Sequence, residues 1–290
     1  MKFPFQNVAL IGKHKSPEIA EPLLRLAEFL AGRGLHVCVD SVTAEHLQNN
    51  PYSVKTLEEM VGTVDLAIVL GGDGTLLNIA HMLSPSRVPL IGVNQGRLGF
   101  LTDVSRENML ESIAAILEGK FVVEPRLLIS AHVMRDGAEV FRNSAFNEIV
   151  VHRCSISSMI EFEVRIDGEY LYNQRADGLI VATPTGSTAY ALSAGGPILH
   201  PSLDVLELVP ICPHTLSNRP IVVKSSSVLE ILMHRSGDNR LRFDSHTNYD
   251  LQQDDKIIVT RHPEPACLLH PLGHSYYHTL REKLLWNQTL

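Results

Sequence analysis

Apolar and polar positions follow two different rhythms along this chain, and the change between them divides it. Val8-Ala9-Leu10-Ile11-Gly12 is a short apolar run closed by glycine, the pattern of a strand buried on both faces. Ser16-Pro17-Glu18 then reads as a helix start, with a capping hydroxyl, a proline in the first turn and an acid near the positive dipole end. Ile19, Leu23, Leu26, Phe29 and Leu30 recur at helical spacing, and Gly32 and Gly34 supply the stop. Continued, this reading predicts strands at 35–39, 65–70 and 88–93 and helices at 76–83 and 105–117. Strand and helix in alternation predict a parallel, doubly wound α/β sheet.

After Gly119-Lys120 the period falls to two. From Phe121 to about Val259, half-buried strand patterns such as Phe162-Glu163-Val164-Arg165-Ile166 are separated by turn dipeptides. Asp136-Gly137, Asp167-Gly168, Asp177-Gly178 and Ser236-Gly237 read as hairpin signals. The expected organisation is an α/β domain over 1–120 and a second domain of antiparallel strands over 121–269. A tail, 270–290, with several aromatic and histidine residues is expected to pack back on the first domain.

Composition narrows the class. A chain of 290 residues accommodates one large domain or two ordinary ones, and 44% hydrophobic with 20% charged residues excludes disordered and fibrous classes. The longest aliphatic stretches, such as Leu66-Ala67-Ile68-Val69-Leu70, are too short to cross a bilayer. Met1-Lys2-Phe3-Pro4-Phe5 lacks the apolar core of a signal peptide. Cys38, Cys154, Cys212 and Cys267 are scattered, against a zinc ribbon or a disulfide framework. A formal charge of -7 disfavours duplex nucleic acid as the main partner. The expectation is a cytoplasmic protein with no nucleic-acid or membrane partner.

Candidate chemistry concentrates in a few segments. In Leu70-Gly71-Gly72-Asp73-Gly74-Thr75-Leu76, a buried strand runs into three glycines, one carboxylate and a hydroxyl, followed by a helical pattern. Glycines let backbone N–H groups approach a ligand, and the helix start presents free amides to an anion. Gly71, Gly72 and Thr75 are therefore candidate phosphate-binding residues. Asp73 would repel a phosphate unless it accepts a proton from a hydroxyl nucleophile or helps to hold Mg²⁺. Neither a P-loop nor Gly-x-Gly-x-x-Gly is present. Asn94-Gln95-Gly96-Arg97-Leu98-Gly99 follows the next strand, where Arg97 is a further phosphate candidate. The run Asp177 to Pro197 is rich in Thr, Ser, Gly and Ala, and Tyr190 offers a flat face for a base. Asn147-Glu148 supplies an amide and a carboxylate suited to ribose hydroxyls. No Gly-x-Ser-x-Gly surrounds Ser187 or Ser193, which removes a serine-hydrolase reading. His270, His274 and His278 are four apart, but Pro271 and Gly273 oppose a helix through them, so no metal ligand is assigned.

In order and spacing, Gly71-Gly72-Asp73-Gly74-Thr75, Asn94 to Leu101, Asn147-Glu148 and Asp177 to Pro197 resemble bacterial NAD kinases over nearly the whole chain. The first motif is shared with diacylglycerol and sphingosine kinases, and the last separates the family from them. The resemblance implies a Rossmann-like N-terminal domain and a β-rich, β-sandwich-like C-terminal domain. It implies transfer of the γ-phosphoryl of ATP to the adenosine-ribose 2′-hydroxyl of NAD, a divalent cation such as Mg²⁺, and a homodimer or homotetramer. Carried over by position, Asp73 is the proton acceptor and Gly74 lines its loop. Asn147, Glu148, Arg175 and Asp177 contact NAD, and Thr188, Ala189, Tyr190, Ala191, Leu192 and Ser193 complete the pocket. His246 stands where family members often carry Gln, and is carried over as an NAD contact. The open alternatives are a lipid kinase of the same superfamily and a non-catalytic NAD(P) sensor.

Overall fold

The computed structural model describes residues 4–14, 16–154, 159–235 and 237–286. Met1-Lys2-Phe3 and the Ser236 of the expected Ser236-Gly237 turn lie outside them. The chain divides into two compact units, Met1–Pro125 with Ala266–Leu290, and Arg126–Pro265.

The first unit is a parallel sheet with helices packed on it. Strands β1 (Asn7–Gly12), β2 (His36–Asp40), β4 (Leu66–Leu70) and β5 (Leu90–Asn94) carry the short apolar runs, and a short, largely exposed β3 (Ser53–Lys55) pairs with β2. β6 (Val104–Ser105) pairs with β5, and β7 (Phe121–Arg126) closes one side of the sheet. Helix α1 (Ala20–Ala31) buries Leu23, Leu26 and Leu30, the stripe expected from its spacing. It is preceded by a 3₁₀ turn over Pro17–Ile19, and the Ser16 hydroxyl makes no capping bond. Two short helices, α2 (Ser41–Ala44) and α3 (Leu57–Met60), start on the Asp40 and Thr56 side chains, the latter in a capping box with Glu59.

Two further helix starts differ from expectation. α4 (Asp73–Leu83) begins at Asp73 rather than at Leu76, so the carboxylate sits in the first turn with Gly72 as the cap. α5 (Met109–Leu117) begins later than Ser105, because Val104 and Ser105 pair with Val93 and Asn94 instead. Ladder pairing takes Ser105 from the expected helix.

The strand pairings within both sheets of the second unit are antiparallel. One six-stranded sheet contains β8 (Ile129–Arg135), β9 (Ala138–Ala145), β11 (Ile160–Ile166), β12 (Glu169–Ala176), β16 (Leu229–Met233) and β19 (Lys256–Arg261). The other contains β10 (Glu148–Arg153), β13 (Gly178–Ala182), β14 (Val205–Ile211), β15 (Ile221–Lys224), β17 (Asn239–Phe243) and β18 (Thr247–Leu251). Inward residues of both sheets, among them Val133, Ile149, Phe162, Val181, Leu208, Ile231, Leu241 and Ile257, form one buried cluster, the core of a β-sandwich. A short helix, α6 (Tyr190–Ser193), follows β13.

Asp136-Gly137 and Asp167-Gly168 both have positive φ at each residue and close tight hairpins, as expected. Asp177-Gly178 does not. It carries the chain from β12 in one sheet to β13 in the other, and Gly178 is small for a different reason: a Cβ there would lie 2.6 Å from the Val151 carbonyl oxygen.

Strand β20 (Ala266–Pro271) and helix α7 (Tyr276–Lys283) return the tail to the first unit. β20 lies between β5 and β7, giving the order β3-β2-β1-β4-β5-β20-β7. The tail is therefore a strand of the sheet, with Leu268, Leu269 and His270 buried.

Candidate active site

In the first unit the strand order turns back between β1 and β4, and open α/β sheets hold ligands at the carboxyl ends of strands beside such a reversal. Gly71 to Thr75 leave β4 at that end. Gly72 and Gly74 are exposed, and a Cβ on either would meet nothing within 4 Å. Both have negative φ, so their service is an approachable backbone rather than a left-handed turn.

The Asp73 carboxylate is held by the loop after β5. Oδ2 accepts from Phe100 N at 2.8 Å, and Oδ1 accepts from Leu101 N, Thr102 N and Thr102 Oγ1 at 3.0, 3.2 and 3.1 Å. A Cβ on Gly99 would overlap Asp73 Oδ1 and Thr102 Oγ1, so glycine is required for this approach. Asn94 fixes the other side of the loop, donating from Nδ2 to the Thr102 carbonyl and accepting from Gly96 N. Oδ1 is crowded with donors; Oδ2 accepts from one and keeps capacity for a hydroxyl. Arg97, in the same loop, is exposed.

In the second unit Asn147 and Glu148 are pinned at the start of β10. Asp244, in the left-handed region at φ 47°, accepts from the N–H groups of Phe146, Asn147 and Glu148. Thr183 donates through its hydroxyl to the Phe146 carbonyl and through its N–H to the Asn147 carbonyl. Gly186 packs so closely on the Asn147 carbonyl that a Cβ would overlap it. Asp244 and Thr183 carry this arrangement and were not expected in that role from sequence. Asp244 lies 96 residues from Glu148, and no local pattern links them.

Glu148 is buried, and its Oε2 has no partner. Burial, and then the Asp244 carboxylate, push its acid up to about 8 against the opposing pull of Arg242, with Glu207 adding to the rise. The upward shift favours the protonated carboxyl, which can both donate and accept a hydrogen bond. Glu207 is fully buried with both oxygens unpartnered, and burial pushes it up to about 7. Register sets both acids opposite Ala182, Glu148 on one side and Glu207 on the other, so the three share one face of the sheet.

A cavity of about 260 Å³ is lined by Val150, His152, Arg153, Asp177, Tyr190, Ile211 and Arg242. Asp177 forms a two-point pair with Arg153, Oδ1 to Nε at 2.8 Å and Oδ2 to Nη2 at 3.1 Å. Tyr190, 44% exposed at the start of α6, is a wall of this cavity and not a core residue. Ala191 of the same helix is buried, Thr188, Ala189 and Leu192 are half-buried, and Ser193 is exposed. Arg175 is elsewhere: it projects from β12 in the other sheet, 3.9 Å from Glu161. His246 is exposed in the turn before β18, its Nδ1 3.1 Å from the Ser245 hydroxyl. Ser187 is buried and bonded to Pro184 and Leu199, a structural hydroxyl.

The first unit carries a carboxylate in a glycine-rich helix start, and the second a cavity walled by Tyr190, parts suited to an enzyme that handles phosphorylated nucleotides. Comparison with known proteins is more specific. Family models described as ATP-NAD kinase N-terminal domain and ATP-NAD kinase C-terminal domain match residues 8–121 and 146–270. The chain is 57% identical to an NAD kinase of Nitrosomonas europaea over 99% of its own length and 97% of the relative's. An NAD kinase of Laribacter hongkongensis is 47% identical over the whole of both chains. Among solved structures, yeast NADH kinase complexed with NADH superposes with a TM-score of 0.89 at 28% identity, covering 99% of this chain and 89% of that one. An NAD kinase from Archaeoglobus fulgidus in complex with ATP gives 0.72 at 28% identity, covering 97% and 98%. The chain belongs to the ATP-NAD kinase family.

Proposed function

We propose that this protein is an NAD kinase, transferring the γ-phosphoryl of ATP to the 2′-hydroxyl of the adenosine ribose of NAD to give NADP. The observation that carries the reading is full-length identity of 57% to a relative of that name, joined to the same motifs in this chain. Phosphoryl transfer through a loose transition state demands positioning and charge neutralisation more than covalent chemistry. In this reading Gly72 and Gly74 present backbone amides and Thr75 a hydroxyl to phosphates, and the exposed Arg97 adds a positive charge; Gly71, expected to join them, is buried and spends its N–H on the Val93 carbonyl, so it serves the strand instead. Asp73 Oδ2 takes the hydrogen bond of the attacking hydroxyl and receives its proton late in the transfer. Tyr190 stacks on a base, and Asn147, Glu148 and Asp177 hold ribose and amide groups, with Thr188 to Ser193 shaping the pocket; Arg175, on the other sheet, and His246, in the turn before β18, stand outside the Tyr190 cavity and have no part in this reading.

The donor set near Asp73 fits a magnesium ion in a limited way. Mg²⁺ takes oxygen ligands and is commonly held by one or two carboxylates plus substrate phosphates and water. Oδ1 of Asp73 is filled by three donors and Oδ2 is kept for the attacking hydroxyl, so phosphates and water would supply most of the ion's ligands. When bound, the ion neutralises phosphate charge. A homo-oligomer working in the cytoplasm completes the reading; among the described residues no helix is long and apolar enough to cross a membrane.

The deciding assay incubates purified protein with Mg·ATP and NAD and detects NADP through an NADP-specific dehydrogenase. NADP should accumulate with time and enzyme. None above the enzyme-free control overturns the reading.

A further inference from the structure

Three side chains that the phosphoryl-transfer reading leaves unused converge inside the first unit. His270 is the last residue but one of β20, His274 follows the turn after it, and Asp103 lies just beyond the loop that grips Asp73. Nδ1 of His270 and Nδ1 of His274 each lie 2.9 Å from the same oxygen, Oδ2 of Asp103. The two imidazoles stack, centroids 4.0 Å apart and planes 16° apart. The donor atoms of the three residues all lie within 4.8 Å of one another. The group is enclosed: side-chain exposure is 1% for His270, 9% for Asp103 and 13% for His274.

Hydrogen bonding by itself accounts poorly for this arrangement. Two nitrogens crowd one carboxylate oxygen while Oδ1 of Asp103, buried beside it, has no partner. Two donors would satisfy the carboxylate better on separate oxygens, since an orphaned buried acceptor loses its water without gaining a partner. The outer partner is equally telling. Nε2 of His270 lies 2.9 Å from Oε2 of Glu124 on β7. A ligating histidine commonly gives its second ring N–H to a carboxylate, which fixes the tautomer and turns the other nitrogen's lone pair toward the ion.

We propose that His270 Nδ1, His274 Nδ1 and the Asp103 carboxylate bind a divalent transition cation of the Zn²⁺ class, with Glu124 orienting His270. Two nitrogens and a carboxylate suit Zn²⁺ and its neighbours, whereas Mg²⁺ and Ca²⁺ take oxygen ligands. An ion about 2.1 Å from each ligand sees donors 2.9 Å apart at roughly 90°, the angle of a five- or six-coordinate site with Asp103 Oδ1 and water filling the remainder. Tetrahedral coordination needs the ligands about 0.5 Å further apart, which a small turn of the more exposed His274 supplies. The site is separate from the Asp73 carboxylate, yet coupled to it by one covalent step, because Thr102, the neighbour of Asp103, donates twice to Asp73. A bound ion therefore ties the Asp73-holding loop to the β20–α7 connection.

The test uses the full chain, dialysed against chelator and free of nucleotide, titrated with Zn²⁺ in competition with a chromophoric chelator and with millimolar Mg²⁺ present. One Zn²⁺ per chain should bind, resist Mg²⁺ and raise the melting temperature. His274→Ala should weaken binding by more than about 100-fold, and Glu124→Gln by about 10- to 100-fold, the usual effect of losing an outer carboxylate. Absence of saturable one-to-one binding by the wild-type chain overturns the proposal whether or not the variants fold. So does binding that His274→Ala leaves unchanged.

Discussion

Asp73 shows what a single carboxylate is asked to do. From sequence it is a general base, and Asn, nearly isosteric, would be a mild replacement. Its four accepted hydrogen bonds change that expectation. An Asn offers one oxygen and turns an NH₂ toward backbone N–H donors, so Asp73→Asn should lose on the order of 1–3 kcal/mol of stability as well as the proton acceptor. We expect kcat lower by about 10²–10⁴-fold in protein that is still folded by circular dichroism. A folded variant with near-wild-type kcat would remove the base assignment. Tyr190 makes the contrasting case. With its ring on a cavity wall, Tyr190→Ala should leave the melting temperature nearly unchanged and raise the KM for NAD by roughly 5- to 150-fold, with a smaller effect for ATP. Equal rises for both substrates would argue against stacking on the nicotinamide nucleotide. Both residues stand out in the sequence by their neighbours, glycines around one and small residues around the other. Their hydrogen-bond partners do not, because Phe100 to Thr102 are 27 to 29 residues from Asp73.

Elements set the environments that residues inherit. The loop from Asn94 to Thr102 closes on α4 only because Gly99 has no side chain. Gly99→Ala should push the loop off Asp73, lowering kcat at least tenfold while the β-rich unit keeps its own transition in a thermal melt; unchanged kcat would mean the loop grip is dispensable. Strands β10, β13 and β14 place Glu148 and Glu207 across Ala182, and their raised acids make stability depend on pH. A carboxyl group whose folded value lies above its unfolded one binds more protons when folded. Stability from these two groups is therefore greatest near pH 4 and falls as pH rises toward 7 for Glu207 and 8 for Glu148. Glu207→Gln should flatten that fall, stabilising the protein by on the order of 2 kcal/mol at pH 8 and by little at pH 4. Chemical denaturation at the two pH values measures it, and an equal effect at both would show that Glu207 is charge-matched by a partner. Period-two patterning announced these strands; their register, and hence the pairing of two acids, depends on which strands become neighbours.

At the scale of the molecule, the tail is a strand of the first unit. A chain ending at Pro265 would lack β20 and leave β5 and β7 without their common neighbour. We expect it to lose the cooperative unfolding of the α/β unit while Arg126–Pro265, with its own sandwich core, still melts cooperatively. Retention of both transitions would show that β20 is an accessory. Apolar runs of five and six residues, helical stripes and Asp-Gly turns are local facts, and they determined from sequence that this chain has a parallel α/β part, a β-rich part and a glycine-flanked Asp73. Long-range pairing decided the rest. It seats β20 inside the parallel sheet, sends Asp177-Gly178 between sheets rather than around a hairpin, and has Asp244 hold Glu148. It also brings Asp103 to His270 across 167 residues of chain. The physical reason is the same in each case: propensity and periodicity act over a few residues, whereas a buried donor or carboxylate takes whatever partner the packed fold delivers.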